Sequence, residues 1–258
     1  MANSPAVEKA LKQVESLSGK PVHIEATSSL PPNILANVRM ARGGLPFHMI
    51  EYQSSLGDSP DYVIVYQCGF VIRRHAVEAA NRQDFIGTPE GEEVVRYWVL
   101  NNPKPSKPPD ANASGLIRFL HSGLLSQVRS IPVGLRVDDW IYQEFPELLP
   151  LQQKALAKQF NDNAAALRPD VQAAMPEPAL AINIIMSAAF ALFWADRLSQ
   201  PQIALPYQAT GYVERGKTLL DIFNRLPADP NQDAALIDAW ADSLGIRNWY
   251  RWERAAEE

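Results

Sequence analysis

The apolar residues near the start of the chain, Val7, Ala10, Leu11, Val14 and Leu17, recur three and four positions apart, with Glu8, Lys9, Lys12 and Glu15 among them. That spacing lines one face of a short amphipathic helix, and the charges set it apart from a signal peptide, whose apolar stretch is uninterrupted. The period then shortens to two. PVHIEAT (21–27), ILANVRMAR (34–42) and PFHMIEYQSS (46–55) alternate apolar with polar residues, separated by SSLPPN and GGLP. They predict three strands, the last two joined by a Gly-rich turn.

LGDSPDYVIVYQCGFVIRRHAVEAANRQ follows, apolar through most of 62–72. Val63, Ile64, Val65, Val71 and Ile72 would suit a fully buried strand. A helix is favoured by its length and its end signals. These are Asp58 or Ser59 as N-cap, Pro60 at the first helical position, Asp61 at the positive end of the dipole, and Arg73, Arg74 and His75 further along. The segment NNPKPSKPPDANAS (101–114) holds four prolines among polar residues and reads as an exposed loop. Beyond it the text is helical: 115–131, 136–145, 149–165, 179–198, 216–226 and 233–244, ending in the aromatic cluster NWYRWER. The expected architecture is α+β: a small antiparallel sheet of about three strands with a helix packed on it, followed by a predominantly helical C-terminal part. The expected division is an α+β unit over 1–100, the loop 101–114, and a helical part over 115–258 packed with the first as one body.

Composition narrows the class. A chain of 258 residues with 47% hydrophobic and 21% charged content can bury a sizeable core. Its net charge of −5 provides no basic footprint for nucleic acid. The single cysteine, Cys68, cannot form an internal disulfide, which fits a reducing compartment; with no targeting segment seen, the cytoplasm is expected. The most apolar stretch, 179–198, contains Asn183 and Ser187 and is closed by Asp196 and Arg197, so it reads as a buried central helix rather than a membrane span.

Candidate chemistry is sparse. His23, His48, His75 and His121 include no pair at the i, i+4 spacing that aims two imidazoles at one ion, so no zinc site is read and no cofactor is expected. Cys68 lies inside an apolar run, and His75 is about 10 Å further along a helix, too far to serve as its base. Asp138 and Asp139, beside Trp140, could do acid–base work with a histidine such as His48 or His121, but acids at a helix start are ordinarily caps. Arg39, Arg42, Arg73 and Arg74 are candidates for an anion-binding patch. Gly43-Gly44 and the Gly87–Gly91 stretch lack the lysine and spacing of a phosphate loop.

The order helix, three short strands, then a helix entered by an apolar run resembles the minimal core of the zincin metallopeptidases, whose active-site helix carries HExxH, often HELGH. Laid on that motif, Tyr66-Gln67-Cys68-Gly69-Phe70 keeps the glycine at Gly69, places Tyr66 and Phe70 where the two metal-binding histidines would stand, and Gln67 where the glutamate base would stand. PFHMIEY resembles the edge strand along the substrate cleft of such enzymes, and Asp138 or Asp139 would match a third, acidic ligand on a later helix. The likeness spans residues 6–72 and, more loosely, 115–151. Tyr and Phe offer zinc no imidazole lone pair, and neutral Gln cannot take a proton from a metal-bound water. The resemblance therefore implies a bacterial-type, catalytically inactive relative that binds a peptide along PFHMIEY or a protein partner, with Tyr66, Gln67, Phe70, His48 and Glu51 lining the former cleft. Two other readings stay open. One is a hydrolase using Cys68, or Asp138 and Asp139 with a histidine. The other is a structural subunit whose contact is Trp249-Tyr250-Arg251-Trp252, residues that could equally pack on the chain's own last helix. The oligomeric state is open.

Overall fold

Ser4 accepts a hydrogen bond from the Val7 amide at 3.4 Å and starts α1 (Pro5–Ser18), which Gly19 ends in the left-handed conformation at φ 68°. The computed structural model describes residues 4–31, 34–57, 59–102 and 110–255. The strands β1 (Val22–Thr27), β2 (Ala36–Arg39) and β3 (His48–Gln53) follow, then α2 (Asp61–Ala76), β4 (Gln83–Gly87) and α3 (Pro89–Leu100). Next come α4 (Asp110–Glu144), α5 (Leu149–Ala164), α6 (Pro169–Ala174) and α7 (Glu177–Arg197). The chain closes with α8 (Leu205–Gln208), α9 (Val213–Arg225), α10 (Asp233–Leu244) and β5 (Tyr250–Arg254). This is an α+β protein with a small three-stranded sheet, a second two-stranded sheet of β4 and β5, and a helical C-terminal part.

The three-stranded sheet has the order β1-β3-β2. β2 and β3 form the expected antiparallel hairpin, turned by Gly43 and Gly44 at φ 56° and 90°. β1 and β3 run parallel, Val22 opposite His48 and Ile24 opposite Ile50, so the sheet is mixed rather than wholly antiparallel. Alternation along each strand specifies which face is buried, but not which neighbour it meets. The consequence is a correction: PFHMIEY is not an edge strand. Its core, β3, is central, and its hydrogen-bonding groups are taken up on both sides.

The described residues divide into two compact units. The first draws on residues 1–84, 134–157 and 254–258, the second on 85–133 and 158–253. In the first, one sheet face meets helices: Val7, Ala10 and Val14 of α1, Ile50 of β3, and Val63, Ile64, Val65, Cys68 and Val71 of α2 form one core with Val137 and Ile141 of α4 and with Phe145 just after it. In the second, α7 is the central helix. It is long and apolar enough to cross a membrane, yet 78% of its apolar window is buried within the protein. Gly216 of α9 lets that helix approach Ala188 and Ala189 of α7 closely.

Three local expectations change. Pro60 is the N-cap of α2 and not its first helical residue, Ser59 makes no cap, and Asp58 lies outside the described residues. Residues 103–109 of the proline-rich segment also lie outside them, while residues 110–114 already belong to α4. The two helices expected over 115–131 and 136–145 are one, running through Pro132. Proline there removes a backbone donor at a cost of about 3 kcal/mol. Burial on both sides, by Leu124, Leu125 and Val128 before it and Leu135, Val137 and Ile141 after it, outweighs that loss.

Candidate functional site

Helix α2 presents its side chains in stripes, and the residues singled out in its sequence fall on different ones. Tyr66 and Phe70, one turn apart, meet edge to face at 5.2 Å between centroids. Both lie against Gly134 of α4, where even a methyl group would collide with the Tyr66 hydroxyl and come within 3.8 Å of Phe70. Gly69 is the reciprocal feature on α2, since a methyl there would overlap Val137 of α4. Each helix thus supplies a glycine to receive a side chain of the other. The glycine that matches the zincin motif has a physical cause in this chain, the close crossing of α2 and α4.

Beneath this crossing lies a buried polar cluster. Tyr62 donates its hydroxyl hydrogen to Asp138 Oδ1 at 2.7 Å, and Gln152 Nε2 of α5 donates to the Asp138 carbonyl oxygen at 2.9 Å and to Oδ1 at 3.2 Å. Asp138 is only 2% exposed. Burial pushes its carboxyl up to about 7, against the pull of those two hydrogen bonds and with a smaller push from Asp139. Tyr62 and Tyr66 are both held well above the usual tyrosine range, by burial first and by the Asp138 charge second. Of the two neighbouring acids, Asp138 is the one whose charge acts on Tyr66. Asp139 instead accepts from Gln143 on the exposed side of α4.

Gln67 turns away from the crossing and donates from Nε2 to the Ala36 carbonyl oxygen of β2 at 3.1 Å. The Gln53 amide bonds the Leu35 carbonyl oxygen, so in antiparallel alternation the backbone groups of Leu35 and Asn37 face β3 while those of Ala36 and Val38 face outward. Gln67 therefore lies across the open edge of the sheet.

The other two residues assigned to the cleft are elsewhere. His48 is fully buried near the far end of α2, its ring edge-on to His75 at 5.2 Å and its Nδ1 accepting from the Ala41 amide at 3.1 Å. Glu51 projects from the sheet face opposite the helices, since its neighbour Ile50 occupies the inner one, and pairs with Arg39 at 3.7 Å. A period of two assigns consecutive strand residues to opposite faces, so His48 and Glu51, three apart, could never share one.

The residues named for a hydrolase do not converge. Cys68 is fully buried in the α1–α2 core, and burial pushes its thiol up to about 12. A thiol-reactive probe at neutral pH is accordingly expected to label folded protein far more slowly than unfolded protein; equal rates would place Cys68 at the surface. Asp138 and His48 contact opposite ends of α2, Tyr62 and His75, which are about 20 Å apart along a helix rising 1.5 Å per residue. They do not form an acid–base pair. His121 belongs to the second unit, where its ring lies 5.8 Å from Trp249 and desolvation lowers its proton affinity, partly opposed by Glu92.

Of the arginine group, Arg42 and Arg74 converge on Asp84 at 2.8 and 3.2 Å, and Arg39 is paired to Glu51. Among the described residues no three His, Cys, Asp or Glu side chains are grouped to hold a metal ion. The aromatic tail packs on its own last helix. Trp249 and Tyr250 are buried, and the Tyr250 hydroxyl and Trp252 indole both donate to Asp238 of α10. Arg251 stays exposed and Trp252 half-buried.

What sequence reasoning missed was Tyr62 and Gln152. Tyr62 is one turn before Tyr66, a visible signal; Gln152 sits in the polar run LQQK, where nothing marks one glutamine as buried. Compared with protein-family models, with curated proteins and with solved structures, the chain finds no match.

Proposed function

We propose that the protein is a zincin-like binding protein without a catalytic metal, and that it takes an extended peptide segment onto the open edge of β2. The observation that carries this reading is the position of Gln67. From the place where the resemblance would put a glutamate base, its amide reaches the outward carbonyl of Ala36 on the edge strand. Beside it, Tyr66 and Phe70 fill the space toward Gly134 with rings rather than metal ligands. Val38, with its amide pointing away from β3, supplies the next outward pair of backbone groups for an added strand. This edge replaces PFHMIEY as the surface for strand addition, because β3 has neighbours on both sides.

Two measurements test the reading. Metal analysis of purified protein is expected to find far less than one zinc per chain; stoichiometric zinc that is lost on replacing Tyr66, Gln67, Phe70 or Asp138 would overturn the inactive assignment. Peptides selected from a display library are expected to lose binding to Val38→Pro, which removes the outward N–H at an edge position where proline is tolerated. Retained binding by that variant, folded as judged by circular dichroism, would place the peptide elsewhere.

A further inference from the structure

The polar cluster beneath Tyr66 contains an acceptor for which no donor is supplied. Gln152 is 1% exposed, and its Nε2 bonds both the carbonyl oxygen and Oδ1 of Asp138. A peptide carbonyl only accepts, so the amide nitrogen must be the atom facing it, and the orientation of this side chain is determined by chemistry. Its Oε1 is then left buried with no hydrogen-bond partner. Buried acceptors are ordinarily satisfied, and an orphan calls for a donor nearby. The carboxyl that Gln152 already touches has a second oxygen, Oδ2. Nε2 and Oε1 share one amide carbon, and Oδ1 and Oδ2 share one carboxyl carbon, so the Nε2 to Oδ1 contact brings the second atoms of both groups into one neighbourhood.

We propose that Asp138 is held as the neutral acid and that its Oδ2 hydroxyl donates to Gln152 Oε1, closing a cyclic acid–amide pair that clasps α5 to α4. The surroundings suit a neutral acid. The groups acting on the carboxyl are Tyr62 and Tyr66 from α2, Asp139 from its own helix and Gln152 from α5, and none is a cation. Arg136, two residues earlier on α4, is not among the groups that shift the carboxyl. In the neutral acid Oδ1 is a carbonyl oxygen, which accepts from both Tyr62 and Gln152 as observed. Burial raises the carboxyl toward neutrality, so the clasp is closed in mild acid and opens as the proton leaves for solvent above about pH 7. Ionisation leaves Oε1 without its donor and puts a buried negative charge next to Tyr66. The clasp is thus a pH-responsive element under the α2–α4 crossing. It holds whether or not a peptide binds at β2.

The test is infrared spectroscopy on the full chain with aspartate carboxyl groups labelled with carbon-13. At about pH 6 a carbonyl band of a protonated carboxyl group is expected. It should shift with the label, vanish in Asp138→Asn and fade as the pH is raised to about 8. Gln152→Leu removes the acceptor and is expected to move the band to higher frequency. The proposal is overturned if labelled wild-type protein shows no such band in mild acid, a result that needs no variant to fold. It is also overturned if the band persists in Asp138→Asn, or stays in place in folded Gln152→Leu.

Discussion

Gly69→Ala is expected to destabilise the first unit, and Val137→Ala to reverse the sign of its effect. At an ordinary helix interior, alanine is favoured over glycine by about 1 kcal/mol. At position 69 the added methyl overlaps Val137 Cγ1 and lies 3.2 Å from Cγ2. Val137 cannot easily yield: it is 1% exposed, and its branched Cβ has one strongly preferred rotamer in a helix. Overpacking of this kind costs about 1–3 kcal/mol, so the clash exceeds the propensity gain. In the Val137→Ala background the obstructing methyls are gone, and Gly69→Ala should be neutral or stabilising. Protection of the α2 amides from hydrogen exchange measures the first unit separately from the second. A Gly69→Ala effect that is the same in both backgrounds would show that α4 does not press on α2 at this residue.

Stability of the first unit is expected to fall as the pH rises from about 4 to about 7, and Asp138→Asn to remove most of that slope. The sign follows from the carboxyl. Its proton is held more tightly in the folded chain, at about 7, than in an unfolded chain, near 3.8. A raised folded value means that the contribution is fully present below the unfolded value and is lost progressively as the pH passes through the folded one. Each tenfold difference in proton affinity corresponds to about 1.4 kcal/mol, so the interval amounts to a loss on the order of 4 kcal/mol. Asparagine keeps an oxygen for Tyr62 and Gln152 and cannot ionise. At pH 8 the variant should be the more stable protein, a reversal of the usual cost of altering a buried hydrogen-bonded group. Unfolding by urea at several pH values, read through the same α2 amides, decides the matter. Parallel curves for the two proteins would mean that Asp138 ionises as freely folded as unfolded.

Both effects arise at one crossing, and the sequence announced only half of it. The motif-like stretch 66–70 was legible because local signals agree on a helix there: Asp61 in the first turn, Arg73, Arg74 and His75 in the last, and an apolar run too long for a typical strand. The partner segment was not legible as a partner. Gly134 and Val137 lie in an apolar stretch interrupted by Pro132, which marks a helix boundary in sequence and not in the folded chain. His48 and Glu51 were grouped with Tyr66 on a likeness to an edge strand, and strand order is decided by which neighbours bury the same face. β2, inserted between β1 and β3 in sequence, pairs on the outside and leaves β3 in the middle.

What the chain's own text determined was therefore local: α1, the three strands, α2, the helical C-terminal part, and a Cys68 too apolar in its surroundings to be a nucleophile. Side-chain period and end signals act within a few residues, and they suffice for such elements. The tertiary structure alone decided which strand is the open edge, that Gln67 lies across it, and that Gly69 and Gly134 exist to receive side chains. It also decided that Asp138, rather than Asp139, is sealed with Tyr62 and Gln152. These depend on close packing between segments far apart in sequence, such as those of Tyr62 and Asp138, 76 residues apart. At such contacts a single methyl or proton counts, and no periodicity along the chain records it.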